Sequence, residues 1–410
     1  MHRRGVASEA QQTLMAERSK EFFSQISEQR KNSSATQFDR LAADLGMLPN
    51  DALSLNHAPA QAVNLAARKR YIAIEPQLRQ LLSDQVGKST APLPPLSRTL
   101  NAYLVEIQPK LQEIQTYLLE QAPPQWEVAP ARMSETDYLF PSLTNVANVQ
   151  KLLLLNAIAH SEQNQHNEAA AALEASWQLN QAIAQRPELA SQILFSITSD
   201  YQTRLLRHLS LTQPQLSLWQ QRLAPPSPSA SQHHSILKGI RFDAWLQYEA
   251  LQKSLSKVAA QSHRWMIFSP VHRFQLANID AAQTAHRAID FLEKNNVCMR
   301  SQQSATAHLN TFQTAEWNDA VVPTPAVLTK RWKAQGDRNL STELTQQILH
   351  AKQHYQTHQQ WPQTQRVSST ECPSQQWLYD AQNGTLTIRL STQTTPAPAH
   401  PHQALLTPNR

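Results

Sequence analysis

The run NVANVQKLLLLNAIAH, residues 145–160, decides the fold class. Leu152, Leu153, Leu155, Ile158 and Ala159 recur at helical spacing, and Pro141 lies just ahead. Thr144 or Asn145 suits the N-cap, since a short side-chain oxygen accepts an orphan backbone N–H. The polar run SEQNQHN, residues 161–167, interrupts the apolar pattern. A second helix opens at Glu168 and carries Ala169, Ala172, Leu173, Ser176, Trp177 and Ile183. Pro187 fits the first turn of a third helix, where its missing N–H costs nothing. Along that helix Leu189, Ile193, Ile197, Tyr201 and Leu205 fall four apart and read as one inward stripe. The spacing predicts three consecutive antiparallel helices over residues 143–209.

Composition extends this helical reading to the rest of the chain. Six glycines in 410 residues favour helix, because Gly costs about 1 kcal/mol per helical site relative to Ala. They also argue against loops that cradle phosphate, where backbone must approach a ligand closely. Gly87-Lys88-Ser89-Thr90 imitates the end of such a loop, but Leu82 stands where that motif needs Gly, and a helix precedes it. A helix end followed by a linker explains those residues. The net charge of +6 comes from basic residues scattered along the chain, apart from Arg68-Lys69-Arg70. Nucleic-acid binding normally needs clustered charge, so it is not expected. No run of 18 apolar residues exists, so no membrane span is expected.

The predicted fold is mainly α: antiparallel helical hairpins, as a bundle or a short solenoid, with a small C-terminal β-hairpin and a disordered tail. Residues 1–48 form a helical arm with a break at Ser33-Ser34, and 49–223 a helical-hairpin domain. Within that domain a helix over 60–83 is divided or kinked at Pro76, and Ser97 to Gln121 is a long helix bent at Pro109. Residues 224–232, with Pro225, Pro226 and Pro228, form a linker. Residues 233–336 make a second helical region, in which Ser301 to Gly336 reads as a surface segment with little helix. Residues 337–391 hold a helix over 340–360 and then a hairpin. Gln376 to Asp380 and Thr385 to Leu390 are its strands, and Asn383-Gly384 its turn, because both turn residues tolerate positive φ. Residues 392–410 are expected to be disordered.

Two resemblances add to this reading. Ala169, Leu173 and Trp177 resemble the packing positions of a tetratricopeptide-type hairpin, with Ala157 and His160 at the small and aromatic positions of its first helix. That family implies close helix pairs offering a groove to a peptide. Trp361-Pro362, Cys372-Pro373 and Trp377-Leu378-Tyr379 resemble the closing module of an uncharacterised class of bacterial helical envelope proteins, and the end of pilin-like proteins. The envelope resemblance implies a membrane anchor and no catalytic residues. Here Met1-His2-Arg3-Arg4 is followed by polar Ser8-Glu9-Ala10-Gln11-Gln12, so either an anchor lies upstream or the protein is cytoplasmic. Cys298 and Cys372 allow one disulfide, and whether they pair stays open.

One constellation carries candidate chemistry. His350 and His354 stand at i and i+4, with Glu343 seven residues before, so all three share a helix flank, while His358 drifts round it. Imidazoles at that separation can converge on zinc or copper. A polar flank bordering the core explains the same residues. His286 with Asp290, and adjacent His233-His234, read as solvated. No Gly-x-Ser-x-Gly and no Cys-x-x-Cys occurs. The expected function is a non-catalytic scaffold or adaptor for a protein or peptide partner, with no cofactor. The alternative is a metal protein or enzyme using the His350 helix.

Overall fold

The computed structural model describes residues 2–47, 63–86, 93, 95–133, 135, 138, 140–224, 233–261, 286–295, 302–311, 325–382, 385–392 and 403–406. The fold is mainly α, with one small antiparallel sheet. The helices are α1 His2–Ser24, α2 Ser33–Asp44, α3 Leu65–Gln80, α4 Arg98–Glu120, α5 Pro130–Met133 and α6 Leu143–Glu162. They continue with α7 His166–Ala184, α8 Leu189–Leu206, α9 Gln213–Leu223, α10 His233–Gln261, α11 Gln302–Asn310 and α12 Pro325–His358. A π-helical turn, Leu81–Gln85, prolongs α3, and residues 286–294 are also helical.

Local chemistry sets the helix ends. Asn32, Asn64 and Ser97 cap α2, α3 and α4 by accepting backbone N–H groups of the first turn. Gly46, with φ at +83°, closes α2 as Gly46 N–H bonds the Ala43 carbonyl and Met47 N–H the Ala42 carbonyl. A Cβ there would lie 2.2 Å from the Arg68 backbone nitrogen. Asn164, with φ at +58°, does the same for α6. Helices α3 and α4 run through Pro76 and Pro109 without ending. The expected linker at 224–232 and the Asn383-Gly384 turn lie outside the described residues, apart from Ala224.

The three central helices form where the periodicity places them, although Pro187 lies before the N-cap, Glu188, and not in the first turn. From Leu152 to Ile158 helix α6 is buried on every side: Leu152 to Leu155, Ala157 and Ile158 are fully enclosed, with Asn156 buried among them. Helix α8 departs from expectation. Ile193 and Ile197 are only half-buried, while Ser191, Gln192, Ser196, Thr198, Ser199, Gln202 and Thr203 are buried. The cause is the fully buried Asn180 of α7. Its Oδ1 accepts from Gln150 Nε2 at 3.1 Å and Thr198 Oγ1 at 2.5 Å. Its Nδ2 donates to Ser199 Oγ at 2.7 Å and Gln202 Oε1 at 3.2 Å. Gln202 Nε2 then donates to Ser176 Oγ at 2.7 Å. The polar face of α8 is satisfied inside the bundle, so it is the face that turns in.

Two further expectations are corrected. The segment Ser301 to Gly336 is not a long surface loop in its described part: it carries α11 and the first third of α12. That third hides its helical pattern because Thr329 and Gln335 are buried beside Leu328 and Trp332. The hairpin is half of a four-stranded antiparallel meander, β1 Gln365–Ser368, β2 Gln375–Gln382, β3 Thr385–Thr392 and β4 Gln403–Leu406, in the order 1-2-3-4. Strand β4 lies in the stretch expected to be disordered. It offers little pattern of its own and exists by pairing Ala404 with Ile388 and Leu406 with Leu386. Trp377, Tyr379, Leu386, Ile388 and Leu390 alternate onto one face and pack against Leu340, Leu344, Ile348 and Ala351 of α12.

Asn180→Ala is expected to cost about 2–4 kcal/mol, since it leaves several buried groups unpaired. Ile193→Ala or Ile197→Ala should cost about 1 kcal/mol, below the usual range for a fully buried Ile. Urea melts of the three variants check this ranking; a reversed order would place the isoleucines in the core.

Candidate functional site: the α8–α12 seam and its arginine face

Helices α8 and α12 lie side by side in the same direction and are joined by polar atoms. At one end Ser196 Oγ donates to Gln335 Oε1 at 2.6 Å and accepts from Arg338 at 2.9 Å. Further along, Arg207 donates to Thr345 Oγ1 at 2.8 Å and to the Ser341 carbonyl and hydroxyl at 2.6 Å each. Lys352 Nζ then donates to the carbonyls of Arg207 at 2.7 Å and Leu209 at 3.0 Å, just past the end of α8. Gln356 reaches the Leu211 carbonyl at 2.7 Å, and Gln346 the Leu223 carbonyl. The Arg207 and Leu223 carbonyls are orphan acceptors at the ends of α8 and α9, and those of Leu209 and Leu211 belong to the loop between them; α12 satisfies all four from the side.

The seam is rich in cations. Burial pushes the Arg207 guanidinium down to about 9, with the Arg204 charge adding to the effect, so it stays charged at neutral pH. Burial pushes the Lys352 ammonium down to about 8. His208, buried beside Lys352 and Arg207, is pushed down to about 4 and stays neutral. None of these three is in a salt bridge with a carboxylate among the described residues.

Where α8 meets the start of α12, the charge reaches the surface. Burial lowers the Arg338 guanidinium, and the charges of Asp200, Arg204, Tyr201 and Arg331 act on it. Half-buried Tyr201 feels Asp200, Arg204, Arg338 and Arg79 in turn. Three arginines from three helices, Arg79, Arg204 and Arg338, thus act on one tyrosine, and Arg331, on the same helix as Arg338, acts on Arg338. Asp200 holds Arg204 at 2.8 Å, and Arg79 meets Glu75 only at 3.8 Å. Among the described residues Arg338 spends one of its five N–H donors, on Ser196.

The N-terminus of α8 carries a second polar cluster. Asp243 of α10 accepts the Leu189 N–H at 3.2 Å and so caps α8 from outside. Burial, with the Glu188 charge nearby, raises Asp243 to about 6 despite that bond. One turn before it, Gly239 lets α10 come close: a Cβ there would sit 2.8 Å from Leu189 Cα. Glu188 pairs with fully buried Arg186, whose guanidinium also donates to the Glu127 carbonyl at 2.9 Å.

The expected metal set comes apart in part. Glu343 is buried, and its two oxygens accept from Ser369 Oγ at 2.7 Å and Thr370 N–H at 2.6 Å. It ties α12 to the turn before β2 and faces away from solvent. His350 is exposed, and burial of part of its ring lowers its pKa. His354 stacks on His358 at 4.3 Å, and its Nδ1 lies 2.9 Å from the Gln360 carbonyl. Among the described residues no three His, Cys, Asp or Glu side chains gather to hold a metal ion. His286 is not solvated: it packs on Trp245 at 4.6 Å, and burial with the Arg241 charge pushes it down to about 4. Asp290 pairs with Arg241 at 3.0 Å instead. Side chains of His233 and His234 lie outside the described ones. Cys372 is fully buried and disulfide-bonded; Cys298, the other half of the expected pair, lies outside the described residues. No described helix is long and apolar enough to cross a membrane. Compared with known proteins, the chain matches no family model, no curated protein and no solved structure.

Sequence reasoning missed the arginine face because its members are far apart in the chain. The one available signal is Arg331 and Arg338, two turns apart on one flank of α12.

His208 and His286 fold with pKa values near 4 against an ordinary value of about 6.5. The unfolded chain therefore binds protons that the folded chain does not, and stability is present above pH 6.5 and lost as pH falls toward 4. A shift of that size corresponds to about 3 kcal/mol for each group. Asp243 acts with the opposite sign: held protonated up to about 6, it adds stability as pH falls from 6 toward its ordinary range. Urea midpoints followed from pH 7 down to 4.5 should fall, and His208→Asn should make that fall shallower. An unchanged slope would place His208 in solvent.

Proposed function

We propose that this protein is a non-catalytic helical scaffold or adaptor that binds a protein or peptide partner. The observation that carries the reading is how its buried polar groups are spent. Asn180, Gln202, Arg207, Lys352, Asp243 and Glu343 each hold one element against another. A catalytic site would instead aim several such groups at a shared opening. What is left underused is a surface of guanidinium groups, which is recognition chemistry.

The cell-envelope setting is part of this proposal. A buried disulfide cysteine, Cys372, supports an oxidising compartment, where such bonds persist. Thiol titration of the unreduced, unfolded chain purified from its native host should find no free thiol. Finding two would remove the envelope setting and leave the scaffold reading in place.

The scaffold reading itself is tested by cross-linked capture from the native host with the full chain, followed by reconstitution with the purified partner. A stoichiometric complex is the expected result. Failure of every captured protein to rebind in purified form, or turnover of a small molecule by the chain alone, would overturn it.

A further inference from the structure

We infer that the face formed by Arg79, Arg204, Arg331 and Arg338 docks an acidic, carboxylate-rich segment of the partner protein. This rests on the scaffold reading and names the chemistry of its partner.

Geometry carries the inference. Arg331 and Arg338 lie seven residues apart on α12, so their Cα atoms are separated by roughly 10 Å along one flank. Arg331 makes no hydrogen bond or ion pair among the described residues, and it is half-buried. Arg338 is held in place by Ser196 at 2.9 Å, which fixes its direction, and none of its other donors is spent among the described residues. Arg79, with 63% of its side chain exposed, borders Tyr201 from α3. Among the described residues the carboxylates engaged here are Asp200, committed to Arg204, and Glu75, which also binds Lys151 at 3.3 Å. Lys333 and Asp337 pair with each other along α12 at 2.7 Å.

Positive charge of this kind is out of proportion to its local acids, and a planar guanidinium pairs best with carboxylates two at a time. The spread over two helical turns suits repeated carboxylates along a segment and not one small anion. A nucleic acid would also want rings to stack on. Here Tyr201 is half-buried and Trp332 is 3% exposed inside the core, so the described part of the face offers no open stacking platform.

The test uses the full chain and fluorescein-labelled hexaglutamate, read by anisotropy at low and high salt. Binding should weaken with salt, and Arg331→Glu should weaken it about tenfold, as reversing a rim charge acts on association without disturbing packing. Arg79→Glu serves as the second variant, because that side chain is exposed, and unchanged thermal melting certifies both folds. Hexaglutamate binding that ignores both substitutions overturns the inference. So does complete displacement by equimolar inorganic phosphate, which would mean a single-anion site, or tighter binding of an oligothymidylate of equal charge, which would mean nucleic acid. If Arg331→Glu captures and rebinds the same partner as the unaltered chain, this inference fails while the scaffold reading stands. If the unaltered chain has no partner that rebinds, the scaffold reading fails first.

Discussion

The carboxamide of Asn180 is the constraint on which the helical core depends. It sits fully buried and exchanges hydrogen bonds with Gln150 of α6 and with Thr198, Ser199 and Gln202 of α8. A buried amide left unpaired costs more than a paired one gains. Any slip of α8 by one residue would therefore break several bonds at once, whereas an apolar contact would merely rearrange. The leucines of α6 supply burial without direction. Asn180 supplies the register, and with it the angular position of every other residue on α8.

The rest of the structure follows from that position. With its Ser, Thr and Gln face turned toward α7, α8 presents its N-terminus to α10 and its Ser196 to Arg207 flank to α12. Each neighbour docks by satisfying a helix end or a polar flank: Asp243 caps Leu189, and Lys352 and Gln356 take the carbonyls beyond Leu206. Helix α12 then carries the sheet on its far half, where Glu343 fixes Ser369 and Thr370 and so sets where β2 begins. Order therefore passes from one amide outward to the sheet through hydrogen bonds at element ends.

This explains what could be read from the chain and what could not. Apolar periodicity was legible wherever leucine and alanine make the buried face, as in α4, α6 and α7. The paired strands of Trp377 and Ile388 were legible by alternation. Periodicity misleads where polar residues are buried, since a stripe of isoleucines looks inward by pattern. Ile193 and Ile197 were misplaced for that reason, and the opening of α12 was lost among Thr329 and Gln335. Strands β1 and β4 depend on a template that only the folded hairpin provides. As for the site, Glu343 and His354 do share a helix, but partners in the sheet and the helix end, invisible in linear spacing, claim their polar atoms. The arginine face is tertiary by construction, drawn from α3, α8 and α12.

The same framework explains how the fold tolerates cations without carboxylates, and why that tolerance ends at the surface. Lys352 lies against carbonyls at the C-terminal end of α8, where aligned peptide dipoles leave partial negative charge. Arg207 lies against the Ser341 carbonyl and two hydroxyls. Backbone dipoles thus take the role of counter-ions in the interior, fixed in place and needing no ionised partner. Among the described residues Arg331 has no such carbonyl, and Arg338 has one hydroxyl. Moving from Lys352 back along α12 to Arg331, the supply of helix-end acceptors runs out while the positive charge continues. Among the described residues no carboxylate forms an ion pair with Arg331 or Arg338, and exchanging water for a carboxylate costs least where the guanidinium is already partly desolvated and held in one direction.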